Sequence, residues 1–237
     1  MSKIISNNLQ PSVKVLELFS GTGSVGKVCK QLDWDVVSVD LILPADHQID
    51  IMDFDYKQYP KDTFDIVWAS PPCTSYSRLQ DSWIGRTRNN KIFTKEDIQD
   101  MMNESDKLVI KTLEIINYFS PSLWFMENPQ TGKLKTRDMM KDLPYYDVDY
   151  CMYSDWGYRK RTRIWTNKKD WNNKICDGKG TCGNMIQTLH KINLGNADRL
   201  KRAHKLASDG GNKKCKGTTQ YERYRIPEDL ILSLFLE

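Results

Sequence analysis

The run VKVLELF (Val13–Phe19) stops at Ser20-Gly21-Thr22-Gly23, and an amphipathic stretch, SVGKVCKQL, follows at once. A buried strand that feeds a glycine turn and then a helix must return beside itself, because parallel strands need a crossover. The next apolar run, DVVSVDL (Asp35–Leu41), is that return strand, and it carries an acid near its end, Asp40. FDIVWA (Phe64–Ala69), LWFMEN (Leu123–Asn128), VDYCMY and TRIWTN supply further strands. Between them, apolar residues at three- and four-residue spacing (Met101, Leu108, Ile115) predict a long helix from Lys95 to about Phe119. Strands alternating with helices predict an α/β fold with a doubly wound, mostly parallel sheet covered on both faces. Pro129 forbids LWFMEN from continuing as an interior strand.

Three segments follow from the pattern. Residues 1–167 form the core. Residues 168–219, rich in Lys, Asn and Gly, form a small irregular insert, and 220–237 return to the core, with Pro227 and the two acids after it opening a terminal helix. No apolar run approaches the ~20 residues that span a bilayer. MSKIISNNLQPSVK has no signal-peptide core, which predicts a soluble intracellular protein of cytoplasm or nucleus. Six cysteines are then free thiols, with Cys29 a small buried residue of its helix. Residues 1–158 carry 17 Lys and Arg against 23 Asp and Glu, whereas 159–237 carry 18 against 8. A basic C-terminal third on an acidic body points to a polyanionic partner.

Glycines at 21 and 23 let the backbone approach a ligand, and Asp40 stands where an acid accepts hydrogen bonds from a ribose. Asp50, in QIDIMDF, is a further polar candidate. These features suit any adenosine-containing cofactor. In FDIVWASPPC the third strand exits through Pro71-Pro72, whose fixed φ values make a stiff turn that presents Cys73 at the ligand end of the sheet. Glu127-Asn128 ends another strand there. GYRKRTRIW spaces Arg159, Arg161 and Arg163 at period two, on one face of a strand, where their repulsion calls for an anion. A thiolate can add to an electron-poor ring carbon such as C6 of a pyrimidine, with an acid at the ring nitrogen and an arginine on the carbonyl oxygen. Attack makes C5 nucleophilic toward a sulfonium methyl donor.

With these residues in place, the chain resembles the cytosine-C5 DNA methyltransferases that use S-adenosylmethionine. ELFSGTGSVG is similar to their first cofactor motif, with Phe19, Ser20, Gly21 and Gly23 in place. Asp40 matches the ribose acid, and DIMDF the motif that sets Asp50 and Ile51 beside the adenine. SPPC matches the catalytic Pro-Pro-Cys, which implies Cys73 as nucleophile and Pro71 on the cofactor side. MENP implies Glu127 as the acid on the base. RKRTR resembles Gln-x-Arg-x-Arg, which gives Arg161 and Arg163 the two arginine places, although Arg159 replaces the Gln. RYRIPEDLI resembles the last motif, which folds back beside the cofactor. The resemblance implies a Rossmann-like methyltransferase fold, S-adenosylmethionine as cofactor and DNA as partner. Only the short 168–219 insert stands where the family carries a large target-recognition region. An RNA cytosine methyltransferase of the transfer-RNA type is the runner-up, and a silent nucleic-acid-binding relative a third reading.

The insert also holds Cys176, Cys182 and His190, with His204 and Cys215 farther on. These residues are zinc-ligand types, and a structural zinc is the lesser reading: the spacing lacks the tight Cys-x₂-Cys pair of common zinc modules, so a basic loop with incidental thiols and no metal site is preferred. Its lysines and arginines are expected to meet phosphates.

Overall fold

The structure is a computed structural model and describes residues 12–88, 90–190, 199–204 and 219–237. Strand β1 (Lys14–Leu18) leads through helix α1 (Ser24–Gln31) to a parallel neighbour, β2 (Asp35–Asp40), and β3 (His47–Gln48) extends that edge. The chain then crosses to the other side of β1 as β4 (Ile66–Ala69), also parallel. A small ribbon of β5 (Thr87–Arg88) and β6 (Lys91–Ile92) precedes the long helix α2 (Lys95–Phe119), which delivers β7 (Leu123–Pro129) parallel to β4. β8 (Tyr145–Asp149) and β9 (Arg161–Thr166) finish the sheet, β9 lying between β7 and β8 and antiparallel to both. The order is β3-β2-β1-β4-β7-β9-β8. A separate antiparallel hairpin, β10 (Ile186–His190) and β11 (Arg199–Ala203), stands in the insert, and α3 (Gln220–Tyr224) and α4 (Glu228–Leu236) return to the core.

The predicted doubly wound, mostly parallel sheet is present, and the long helix falls where its periodicity placed it. One strand moved. VDYCMY was expected to be extended, but strand β8 ends at Asp149 and Tyr150–Met152 form a 3₁₀ turn. The reason is register: Asp149 pairs with Arg161, the first residue of β9, so β8 has no partner beyond it. Among the described residues no helix is long and apolar enough to cross a membrane.

Two apolar layers hold the sheet. Leu16, Leu18, Val67, Met126 and Trp165 face α2 residues such as Val109, Ile115 and Phe119. Val15, Ile66, Trp68, Phe125 and Ile164 face Val25 and Val28 of α1 and Leu230, Ile231 and Leu234 of α4. Helix α2 starts with a capping box, in which the Asp97 N–H donates to the Thr94 hydroxyl and the Thr94 N–H to the Asp97 carboxylate. Beyond β8, the coil 171–176 runs along the outer strand. The Asp149 N–H donates to the Lys174 carbonyl, and the Asn173 amide donates to the Asp147 carbonyl. The exposed edge is thereby covered.

Helix α1 has no side-chain cap of its own. Instead the buried Glu17 carboxylate of β1 accepts the Val25 N–H at 3.2 Å and the Gly26 N–H at 3.0 Å. That satisfies orphan donors at the helix start from below. Burial pushes the Glu17 carboxyl up to about 7, against the lowering effect of those two N–H groups. A carboxyl raised from its ordinary 4.5 favours the folded state in its protonated form. That stability is complete below pH 4.5 and is lost as pH rises through about 7. Equilibrium urea unfolding should show the native protein losing on the order of 3 kcal/mol across this window relative to a Glu17→Gln variant. Parallel pH profiles for the two proteins would remove Glu17 as the cause.

Candidate active site

The strand order reverses between β1 and β4, since the chain goes outward from β1 through β2 and returns to β4 on the opposite side. Crevices form at such switch points, beyond the carboxyl ends of the strands. Both motif turns sit there. The Ser70 N–H donates to the Leu18 carbonyl at 3.2 Å, so the Pro-Pro-Cys turn after β4 lies against the glycine turn after β1.

The glycine turn is left-handed three times, at Phe19 (φ 57°), Gly21 (φ 52°) and Gly23 (φ 65°). Phe19 accepts strain that glycine would avoid. A Cβ on Gly23 would meet nothing within 4 Å, so the turn's outer side is open. Asp40 binds the turn directly. Its Oδ2 accepts the Gly21 N–H at 2.8 Å, and Oδ1 accepts the N–H groups of Ile42 and Leu43 at 2.9 and 2.8 Å. Asp40 therefore shapes the site as well as facing it. Ser20, whose N–H donates to the Val39 carbonyl, is buried. Asp50 starts a turn by accepting the Met52 N–H on Oδ1, which leaves its other oxygen without a partner among the described residues. Ile51 is packed inside the core, 4% exposed, whereas Leu41 and Ile42 beside Asp40 are 58% and 76% exposed. The apolar surface nearest the acid is thus supplied by residues that the motif reading passed over. The C-terminal segment does fold back here, with the Ile226 N–H donating to the Ser24 hydroxyl at 3.1 Å.

Pro71 is buried and Pro72 exposed. The Asn128 amide, wholly buried, donates to the Pro71 carbonyl at 2.9 Å and ties the turn to the end of β7. Cys73 follows as the cap of a 3₁₀ turn, Thr74–Tyr76. That turn is anchored in turn by the Tyr76 hydroxyl on Asp106 (2.9 Å), itself paired to Arg137. Glu127 is buried beside it. Its Oε1 accepts the Tyr150 hydroxyl at 3.1 Å and pairs with Lys160 Nζ at 3.3 Å. Burial pushes the Cys73 thiol above the ordinary thiol range, the Glu127 charge adds to that, and the Lys160 ammonium opposes it.

The arginines of RKRTR are arranged differently from the single convergent face expected. Arg163 makes a bidentate pair with Asp147 (2.7 and 2.9 Å) and lies over the Tyr145 ring, 3.5 Å from its centroid. Arg159 pairs with Asp149 at 2.7 Å. Two of the three charges are therefore met by acids of β8, across the strand pair. Arg161 is exposed and has no ion-pair partner among the described residues. Alternation along β9 places Arg163 on the face of Trp165 and Lys160 on the face of Ile164, the face that Glu127 shares through its pairing with Ile164. The cation at Glu127 is Lys160. It was hidden inside the motif, between arginines, and only strand parity could have singled it out.

The structure thus joins Glu127, Lys160 and Tyr150 in one bonded group whose charges act on the Cys73 thiol, sets the Pro-Pro-Cys turn against the glycine turn that Asp40 holds, and sends Arg163 to Asp147. Such a set can attack an electron-poor carbon with a thiolate while a carboxyl group holds a proton nearby.

The family model for "C-5 cytosine-specific DNA methylase" matches residues 41–144. The chain is 42% identical over 224 residues to the "Probable DNA (cytosine-5)-methyltransferase" of Frog virus 3 (isolate Goorha), covering 94% of this chain and 98% of that one. Among solved structures it is similar to the Entamoeba histolytica methyltransferase EhMeth, at 18% identity and a TM-score of 0.48. That match covers 70% of this chain and 56% of the other, so the chain spans little more than half its length.

If Lys160 holds down the Cys73 thiol, Lys160→Met should shift the pH of half-maximal Cys73 alkylation by iodoacetamide upward. At neutral pH the reaction should be slower, and it should recover in alkali. Peptide mass spectrometry would follow Cys73 alone, and an unmoved midpoint would sever the link.

Proposed function

The chain belongs to the C-5 cytosine-specific DNA methylase family, and on that premise we propose that Cys73, Glu127 and Lys160 carry its chemistry in the crevice between β1 and β4. The reaction is methylation of cytosine C5 in DNA, with S-adenosylmethionine as donor. The observation that supports these roles is the meeting of a thiol, a buried acid and a lysine at the topological switch, against an open glycine turn.

The residues suit the donor. The turn of Phe19, Ser20, Gly21 and Gly23 offers backbone with no side chain over Gly23, Asp40 and Asp50 offer carboxylate oxygens for ribose or adenine, and Leu41 and Ile42 offer exposed apolar surface for a flat ring. Ile51 supports this wall from the core, and Pro71 closes the side toward Cys73. When bound, S-adenosylmethionine supplies an electrophilic methyl group.

The target cytosine leaves the stack, because C6 is shielded in a duplex. The Cys73 sulfur, as thiolate, forms a bond to C6, and the C5–C6 π pair moves toward C5 and the ring. A proton held between the Glu127 carboxyl group and N3 neutralises the charge that addition places there. C5 accepts the methyl group. Loss of the C5 proton to solvent then returns the pair, the S–C6 bond breaks, and Cys73 leaves. Lys160, paired to Glu127, favours thiolate over thiol before attack through its charge. Arg161 is the arginine left for the base or a phosphate, and Arg163 fixes the β8–β9 edge through Asp147. The basic insert, 168–219, serves as a reduced target-recognition region, and its cations meet the phosphate backbone. The catalytic thiol supports a reducing, intracellular setting.

Incubation with labelled S-adenosylmethionine should place label as 5-methylcytosine in duplex DNA. Label confined to transfer RNA would overturn the substrate while keeping the chemistry. DNA containing 5-fluorocytosine should form a denaturation-stable adduct, because fluorine blocks the loss that frees Cys73. Cys73→Ala should abolish the adduct, and Glu127→Gln should slow methyl transfer by roughly 10²–10⁴-fold. An undiminished adduct in Cys73→Ala would sink the nucleophile.

A further inference from the structure

Outside the crevice, four side chains meet where the insert leaves the sheet. The sulfur atoms of Cys151, Cys176 and Cys182 and a ring nitrogen of His204 all lie within 4.8 Å of one another. Nε2 of His204 is 3.1 Å from the Cys182 sulfur and 3.7 Å from that of Cys176. A tetrahedral ion with metal–sulfur bonds of ~2.3 Å and metal–nitrogen bonds of ~2.0 Å sets its ligand atoms roughly 3.5–3.8 Å apart. The observed spacings bracket that value.

We propose that Cys151, Cys176, Cys182 and His204 form a structural zinc site. The donor set is soft and fourfold, and Cys₃His is one of the standard closed zinc sets. All four ligands come from the protein, so no position is left for substrate, which makes the ion structural rather than catalytic. Binding releases the thiol protons to solvent and leaves three thiolates, one imidazole and a dication, with one net negative charge. Arg159 stands beside that charge, its Nη2 donating to the Cys176 carbonyl at 2.7 Å.

The shell around the ligands is built. The Gly178 N–H points at the Cys176 sulfur at 3.4 Å, and the Cys176 N–H donates to Asp149 at 2.8 Å. The Asn184 amide donates to the carbonyls of Cys151, Ser154 and Cys182, which locks the loop of one ligand to the loop of another. Outer-shell bonds of this kind hold ligands in place before the ion arrives. The ligands also come from meaningful places. Cys151 lies in the turn after β8, Cys176 and Cys182 in the coil before β10, and His204 directly after β11. One ion would therefore fasten both feet of the basic hairpin to the catalytic sheet. A segment this poor in large apolar residues has little core of its own, and a metal substitutes for one.

The set differs from that considered in the sequence. Cys151 was read as a strand residue, His190 closes β10, and Cys215 lies outside the described residues. The expectation of incidental thiols gives way to a clustered set.

The test uses the full chain purified in reductant without chelator. Elemental analysis should find one zinc per chain. Metal-stripped protein titrated with cobalt(II) should show thiolate-to-cobalt charge transfer and the intense visible bands of a tetrahedral ion. Cys182→Ser and His204→Ala should weaken zinc binding by at least the roughly 10–100-fold that loss of an outer-shell partner costs. Cys73→Ala should keep its full zinc. The native cobalt spectrum does not depend on whether the variants fold. Absence of both zinc and the cobalt spectrum in the native protein would overturn the site. So would undiminished zinc in both ligand variants, or a disulfide among the three thiols in protein isolated under reductant.

Discussion

The hydrogen bond from the buried Asn128 amide to the Pro71 carbonyl is the constraint on which the catalytic crevice rests. Two successive prolines leave the turn without N–H donors at either position, so its backbone can be held only through carbonyls or from outside. Asn128 does this from the end of β7, and the Leu18 carbonyl of β1 accepts the N–H of Ser70, just before the prolines. Cys73, the proposed nucleophile, therefore takes its position from two neighbouring strands rather than from its own loop. Glu127 precedes Asn128 on the same strand and points to the opposite face, so one dipeptide sets the thiol with one residue and supplies the acid with the other.

Charge balance organises the other side of the sheet. Asp147 and Asp149 alternate along β8 and meet Arg163 of the antiparallel partner and Arg159 just before it. Asp149 is almost wholly buried and shared between Arg159 and the Cys176 N–H. Removing one partner of such a buried pair typically costs about 3–5 kcal/mol, because the other is left desolvated and alone. The cationic stripe that invited an external anion is largely satisfied within the fold, and only Arg161 keeps its charge for outside use.

Much of this was legible in the residues. The glycine turn, the acid after β2, the Pro-Pro-Cys exit and the long α2 each announce themselves locally, by turn chemistry or by a single period. What escaped reading depends on partners distant in the chain. Lys160 acquires its role from strand parity against Glu127, and Arg163 loses its expected one to Asp147, sixteen residues upstream. Glu17 gains its role from the Val25 and Gly26 N–H groups of the helix start above it. Cys151 joins Cys176 only because β8 ends one residue before a 3₁₀ turn. Periodicity assigns residues to faces, but it is silent about which face of one strand meets which side chain of another.

Arg159 sits at the junction of these two systems. It belongs to the motif strand, yet its guanidinium closes on Asp149 and on the carbonyl of Cys176 in the insert. The insert invites treatment as an exchangeable cassette, but it has no clean seam. A chimera joined at residue 168 would cut Asp149 off from the Cys176 N–H and Arg159 from the Cys176 carbonyl, and would bury a mismatched charge in the host sheet. A transplant that preserves both balances must carry β8, its following turn and β9 along with the loop. In this small enzyme the insert and the edge of the sheet are held as one piece.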